Sequence, residues 1–325
     1  MIVDSHAHLV PPDLLTAIRQ SKGRFPALRV IEDGASLAFA FAGGKPTRPV
    51  SKALSDIAGR LAWMDQQGID RQVVGGWVDM FGYELPAAEG EAWGRLINDA
   101  MLSAAKAEAR FVPLATVPLQ DGARAAAVLR AAIAAGFPGA MIGTLPRGVG
   151  SVLDAADLEA FWAAADETGA VIHIHPSFDA GDVRVNDFGL ANGVGRITDA
   201  LVAVARLISA GHVTRYANAR IVVPMGAAGL PFVLGRLKRN AEITPGVGDP
   251  VAALARLYTD TILHDPRVLG FVVRMLGSER LMMGSDMPFP IGNPAPMRIV
   301  TAAGLDAAQA ASINGGLAAK LFGLA

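Results

Sequence analysis

Three short runs carry side chains able to hold a divalent ion. His6-Ala7-His8 closes a short apolar N-terminal run; two apart in an extended chain, both imidazoles leave the same face, so one rigid edge presents two nitrogens. An isolated His-x-His does surface or core work about as readily as it binds metal, so the pair needs support from elsewhere. Val171-Ile172-His173-Ile174-His175-Pro176 is a buried-strand pattern ending in a histidine before proline. His175 falls at the strand end, where barrel enzymes keep their functional groups. His173 points the same way one layer deeper and reads first as a hydrogen-bonded core or supporting histidine. Leu281-Met282-Met283-Gly284 opens into Ser285-Asp286-Met287-Pro288. Asp286 could bind the ion, act as a base toward water, or, more plainly, cap a turn. His6, His8, His175 and Asp286 make three imidazoles and a carboxylate without thiolate. That donor set suits zinc, the expected ion, and would also hold manganese, iron or cobalt.

Composition narrows the field. The chain has 325 residues, 52% hydrophobic, with 29 basic against 30 acidic side chains. It can bury a large core, and the balanced charge gives no footprint for nucleic acid or an anionic membrane, so a small-molecule substrate is expected. The absence of cysteine excludes disulfides, thiolate metal sites and cysteine nucleophiles. Asp4 and the two histidines interrupt the N-terminal apolar run, and no long uncharged apolar stretch follows; neither a signal peptide nor a membrane span is read, and a cytoplasmic location is expected.

The elements that must position these residues follow a βα rhythm. Eight strands are expected at Ile2–His6, Arg71–Gly75, Phe111–Val117, Gly139–Gly143, Ala170–His175, Arg220–Pro224, Leu257–Thr261 and Leu281–Gly284. Segments of helical spacing lie between them: Leu54–Gln67, Glu91–Arg110, Ala123–Ala135, Ala156–Thr168 and Ile197–Ser209. Gly68, Gly136, Gly169 and Gly277 read as helix stops, and Asp265-Pro266 as a helix start. Eight strands with intervening helices favour a closed (β/α)8 barrel, residues 1–325 forming one domain. Residues 10–50 do not fit the repeat; Leu28–Asp33 and Ser36–Ala42 within them are expected to pair as a hairpin over the barrel mouth. Residues 176–195, with their Gly and Asp, read as a loop able to act as a lid.

His6-Ala-His8, the His175-Pro176 pair and Gly284-Ser-Asp-Met-Pro-Phe-Pro290 resemble the amidohydrolase superfamily, and within it the branch around aminocarboxymuconate-semialdehyde decarboxylase. Further matches are Ile97-Asn98-Asp99, Thr116-Val-Pro-Leu-Gln120, Gly143-Thr144, Leu230-Pro231-Phe232 with Gly235-Arg236, and Tyr258 to Pro266 with its His264-Asp265-Pro266. The likeness spans nearly the whole chain. It implies a metal-dependent barrel with His6, His8, His175 and Asp286 as ligands, and, by analogy with related barrels, a homodimer. It also implies a histidine after the sixth strand, in a His-Gly-Gly-Gly-like turn, as general acid/base. Here that stretch is Val223-Pro224-Met225-Gly226-Ala227-Ala228-Gly229, and the aligned residue is Met225.

A thioether transfers no proton, and a positioned acid or base contributes about 10²–10⁴-fold. His173 is the expected substitute; His212 reads as lying in a helix and His264 as a helix-start residue. Met225 makes one wall of the pocket apolar, which suits an aromatic ring. Candidate substrate contacts at the strand ends are Trp77, Phe81 and Tyr83, Arg147, Phe178, Arg184 and Phe289; aromatics there could sandwich a ring and an arginine could clamp a carboxylate. Three functions compete: decarboxylation of a small aromatic or muconate-type acid; hydrolysis of an amide, lactone or related bond with Asp286 as base; and non-catalytic binding. Four intact metal-type ligands argue against the last.

Overall fold

The computed structural model describes residues 1–21, 23–34, 36–177 and 180–324. Its strands are β1 (Val3–His8), β2 (Leu28–Asp33), β3 (Ser36–Phe41), β4 (Arg71–Gly75), β5 (Phe111–Pro113), β6 (Gly139–Gly143), β7 (Val171–His175), β8 (Arg220–Val223), β9 (Tyr258–Asp260) and β10 (Leu281–Met282). Two parallel ladders run β1-β4-β5 and β6-β7-β8-β9-β10. Backbone hydrogen bonds close both seams. Ala115 bridges β5 to β6, donating to the Gly139 carbonyl and accepting from Met141 N, each at 2.9 Å. On the other side Ser5 N reaches Met283 O, Asp286 N reaches His6 O and His8 N reaches Met287 O, all at 2.8 Å. The ring therefore has no open edge, and the chain is a (β/α)8 barrel.

The barrel strands carry branched and sulfur-containing side chains on both faces, and β4, β6 and β7 are buried almost throughout. Helices cover them. Glycines in the left-handed region end the helices Ile57–Gln67 (Gly68, φ 65°) and Glu159–Thr168 (Gly169, φ 61°). The expected Leu54–Gln67 helix is broken, because the Asp56 side chain accepts from Gly59 N and starts a new helix. The expected Phe111–Val117 strand is shorter because Pro113 ends its regular pairing, leaving the bridge at Ala115. β1 runs two residues further than expected and includes both histidines, with an irregularity in its pairing to β4 between Asp4 and Ala7. Such bulges re-aim side chains next to functional sites.

β2 and β3 pair antiparallel from Leu28 opposite Phe41 to Asp33 opposite Ser36. Phe39 and Phe41 lie against Trp93 of the helix Ala87–Ala107. The chain after β3, at Gly44, Lys45 and Thr47, lines a cavity of about 390 Å³ with residues that follow β4, β6 and β7. Asn98 and Thr116 exchange two hydrogen bonds of 2.9 and 2.7 Å, so that pair of sequence matches ties a helix to a strand end. Among the described residues no helix is long and apolar enough to cross a membrane.

After β8 the backbone does something the sequence gives little reason to expect. Met225, Gly226, Ala227, Ala228 and Gly229 have φ of 55°, 62°, 61°, 50° and 79°, one turn in the left-handed sense. Each non-glycine residue there costs about 1–2 kcal/mol. β9 holds the turn: Met225 N donates to Asp260 Oδ1 at 2.7 Å and Ala227 N to Thr259 Oγ1 at 2.6 Å. Ala228→Gly is expected to raise stability by up to about 1 kcal/mol and Ala228→Val to lower it. A lower denaturant midpoint for the glycine variant would show that the turn is not strained at this residue.

Candidate metal centre and cavity

His6, His8, His175 and Asp286 meet at the barrel mouth. Each offers one ligand atom, and the four atoms lie within 4.8 Å of one another. His6 Nε2 is 3.3 Å from His8 Nε2 and 3.8 Å from Asp286 Oδ1, while His8 Nε2 is 3.2 Å from that oxygen. In every histidine the other nitrogen is committed. His6 Nδ1 donates to Asp260 Oδ2 at 2.7 Å, His8 Nδ1 to Gly76 O at 3.1 Å, and His175 Nδ1 to Pro176 O at 2.8 Å. These acceptors fix the tautomer, so each Nε2 carries its lone pair toward the common centre.

The barrel's closure sets the remaining geometry. Asp286 sits in the left-handed region at φ 59°, its N–H on the carbonyl of His6, so two of the four residues share a backbone bond across the β10–β1 seam. Gly284 lets the strands approach: a Cβ there would stand 3.0 Å from Asp260 Cβ and 3.2 Å from His6 Cβ.

Protonation tendencies differ among the four residues. Burial lowers the pKa of His8, the Asp286 contacts only partly opposing it. Burial, then the neighbouring His8 and His6, hold His175 well below the usual histidine value. Burial also disfavours charge on His6, but Asp260 and Asp286 outweigh it and raise its pKa. For Asp286 burial is outweighed by the close contact with His8 and the charges of His6, His8 and Arg196, and its pKa falls. Its Oδ1 is buried and has no hydrogen-bond partner among the described residues. An unmatched buried anion facing three nitrogen lone pairs fits a divalent ion.

His6, His175 and Asp286 form one side of a cavity of about 210 Å³, with Arg196, Met225 and His264 on the others. Ile197, Ile262, Leu263 and Ile291 make it largely apolar. Arg196 is the first α-helical residue after the π-helical turn Ala191–Gly195, which runs straight into the helix Arg196–Ser209, so it projects from within a continuous helical segment. One turn on, buried Asp199 accepts from Thr144 Oγ1 at 2.5 Å and Ser177 N at 2.8 Å, which ties this helix start to the loops after β6 and β7.

The other expected contacts fall elsewhere. Arg147 is paired with Asp157, and exposed Arg184 with Asp182, two residues earlier in its own segment, at 2.7 Å; neither lines the cavity. Trp77 is buried beneath the Arg48 guanidinium, 5.7 Å from its ring centre. Phe289 packs on His8 at 5.1 Å between ring centres, Tyr83 OH accepts from Gly143 N, and Phe178 lies outside the described residues. His173 is completely buried, its ring 4.5 Å from that of His6, and neither nitrogen has a hydrogen-bond partner among the described residues. Burial, then His6 and His8, push its pKa well down. It does not line the cavity, which corrects the expectations of a hydrogen-bonded histidine and of a substitute acid/base there. His212 stands away from the cavity, 3.4 Å from Glu159.

Sequence reasoning missed Arg196 and Asp260. The signal for Asp260 was present: an acidic residue ending the buried strand Tyr258-Thr259-Asp260 must have partners. Asp260→Asn keeps its shape and removes the charge that orients His6. Zinc or manganese affinity is expected to fall about 10–100-fold, read by competition with a chromogenic chelator. Unchanged affinity would show that His6 is held without it.

The model of one protein family, described as amidohydrolase, matches residues 3–324. A curated relative, the 2-amino-3-carboxymuconate-6-semialdehyde decarboxylase of Dictyostelium discoideum, is 24% identical over 306 residues, covering 92% of this chain and 84% of that protein. Among solved structures, the apo IDCase of Metarhizium anisopliae superposes with a TM-score of 0.82 at 21% identity, over 100% of this chain and 97% of that one. The 5-carboxyvanillate decarboxylase of Novosphingobium aromaticivorans, complexed with manganese and 4-hydroxy-3-methoxy-5-nitrobenzoic acid, gives 0.80 at 19% identity over 99% and 96%. With the family model running from the first barrel strand to the last helix, the chain belongs to the amidohydrolase family.

Proposed function

We propose that this protein is a metal-dependent decarboxylase of a small aromatic or muconate-type carboxylic acid. The observation that carries the reading is the meeting, in one small apolar cavity, of a four-donor cage with a partly buried arginine, Arg196. The names of the relatives support the same reaction class. His6, His8, His175 and Asp286 would hold the ion, zinc or manganese, which when bound supplies Lewis-acid polarisation of a substrate oxygen.

The chain's own residues account for the rest. Arg196 offers a planar, permanently charged fork to the substrate carboxylate and fixes its orientation. The wall of Ile197, Ile262, Leu263 and Ile291 solvates a carboxylate poorly, whereas carbon dioxide is neutral, so it favours the loss. A cavity of about 210 Å³ matches a single ring better than a drug-sized ligand, which needs roughly 300 Å³ or more.

The test is a product panel. Zinc- and manganese-loaded protein is incubated with hydroxybenzoates, 5-carboxyvanillate and muconate-type acids, and separately with small aromatic amides and lactones. Carbon dioxide release from an acid is expected; acid production from an amide or lactone, without carbon dioxide, would replace this reading by hydrolysis with Asp286 as base. In the same assay Arg196→Gln is expected to raise KM for the acid about 10–100-fold, the loss of one charged hydrogen-bonding group. An unchanged KM would remove Arg196 from carboxylate binding.

A further inference from the structure

We infer that His264 delivers the proton to the substrate carbon, the role for which position 225 offers only a thioether. This role rests on the decarboxylase reading above. His264 lines the same cavity as Asp286, Arg196 and Met225. The histidines His6, His8 and His175 have one nitrogen committed to an acceptor and the other turned to the metal centre. His173 is sealed beneath His6, and His212 lies against Glu159.

The loop that carries His264 is fixed at both ends. On the strand side Asp260 Oδ1 accepts from Ile262 N at 3.1 Å, and Leu263 N donates to Thr261 O at 2.8 Å. On the far side Asp265 caps the helix Pro266–Leu276, accepting from Arg267 N at 2.8 Å. His264 spans the gap with φ 58°, a region uncommon for residues other than glycine. The loop also abuts the left-handed turn, since a Cβ on Gly226 would come within 2.7 Å of Leu263 Cδ2. Met225 and His264 thus enter one cavity from two adjoining loops.

Exposure gives the second requirement. His264 is exposed to solvent, so an imidazole that has given up its proton can regain it from water each turnover. In the step, an imidazolium N–H passes its proton to the carbon bearing the carboxylate. The bond from that carbon to the carboxylate breaks, its electron pair returns to the substrate π system, and carbon dioxide leaves. Neutral His264 then takes a proton from water, so the net change is one carboxylate and one proton to one C–H and one carbon dioxide.

The experiment uses the manganese-loaded protein and the hydroxybenzoate that wild type decarboxylates fastest. For His264→Gln, and for His264→Asn, which tolerates the left-handed backbone, kcat is expected to fall about 10²–10⁴-fold with KM within about threefold and metal content unchanged. Exchange of the phenol product's vacated C–H with deuterium oxide, followed by NMR, needs the proton donor and no carboxylate; it is expected with wild type and lost in both variants. Introducing Met225→His into His264→Gln should restore at least part of the exchange. Either variant keeping wild-type kcat, or keeping exchange while losing carbon dioxide release, would overturn the assignment. Wild type that releases no carbon dioxide from any acid removes the decarboxylase reading itself.

Discussion

The carboxylate of Asp260 is completely buried and makes three hydrogen bonds, each to a different part of the site. Oδ2 accepts from His6 Nδ1; Oδ1 accepts from Met225 N and Ile262 N. A buried carboxylate is tolerated only when its lone pairs are satisfied. Satisfying this one sets the tautomer of a cage histidine, holds a left-handed turn in place and anchors the loop leading to His264. Removing any partner leaves the other two bound to an under-satisfied anion, so the three features are coupled through one side chain.

A second buried carboxylate does the same work one layer below. Asp4 accepts from His6 N, from Ser285 N and Oγ, and from Gln72 Nε2. Burial raises its pKa, and the bonds from Ser285 and Gln72 pull against that rise. Gln72 Oε1 in turn accepts from Arg60, which also donates to the carbonyl of His8. The network joins β1, β4 and the segment after β10, the seam across which His6 and Asp286 share a backbone bond. The spacing of the cage is therefore a consequence of how the barrel closes. Loosening that seam would separate the four donor side chains.

How much of this was legible depended on whether a residue's role is local. Strands, helices and the positions of His6, His8, His175 and Asp286 at strand ends follow from alternation, helix stops and the order of elements, all short-range patterns. The arginines show the limit. Arg147 and Arg184 lie at the right end of the barrel, but Asp157 and Asp182 pair with them away from the cavity, whereas Arg196 lies in an amphipathic helical segment and lines the cavity. Which arginine reaches the cavity is decided by tertiary packing. The turn after β8 was invisible for the opposite reason: methionine and alanine are poor residues for the left-handed region, and side chains from β9 hold them there. His264 precedes a helix, as its sequence suggests, but Asp265 takes the cap and leaves the imidazole to face the cavity.

The division between buried and exposed groups also bears on the chemistry. His6, His8 and His175 are at most 4% exposed, which suits ligands whose protonation state must not change, since burial disfavours charge on an imidazole. The same property disqualifies a buried histidine as a renewable proton source. Decarboxylation consumes one proton per turnover, and a donor without access to water has no means of being recharged. His173 has the right residue type and the wrong surroundings on that count. His264 has the solvent contact and lines the cavity beside Met225.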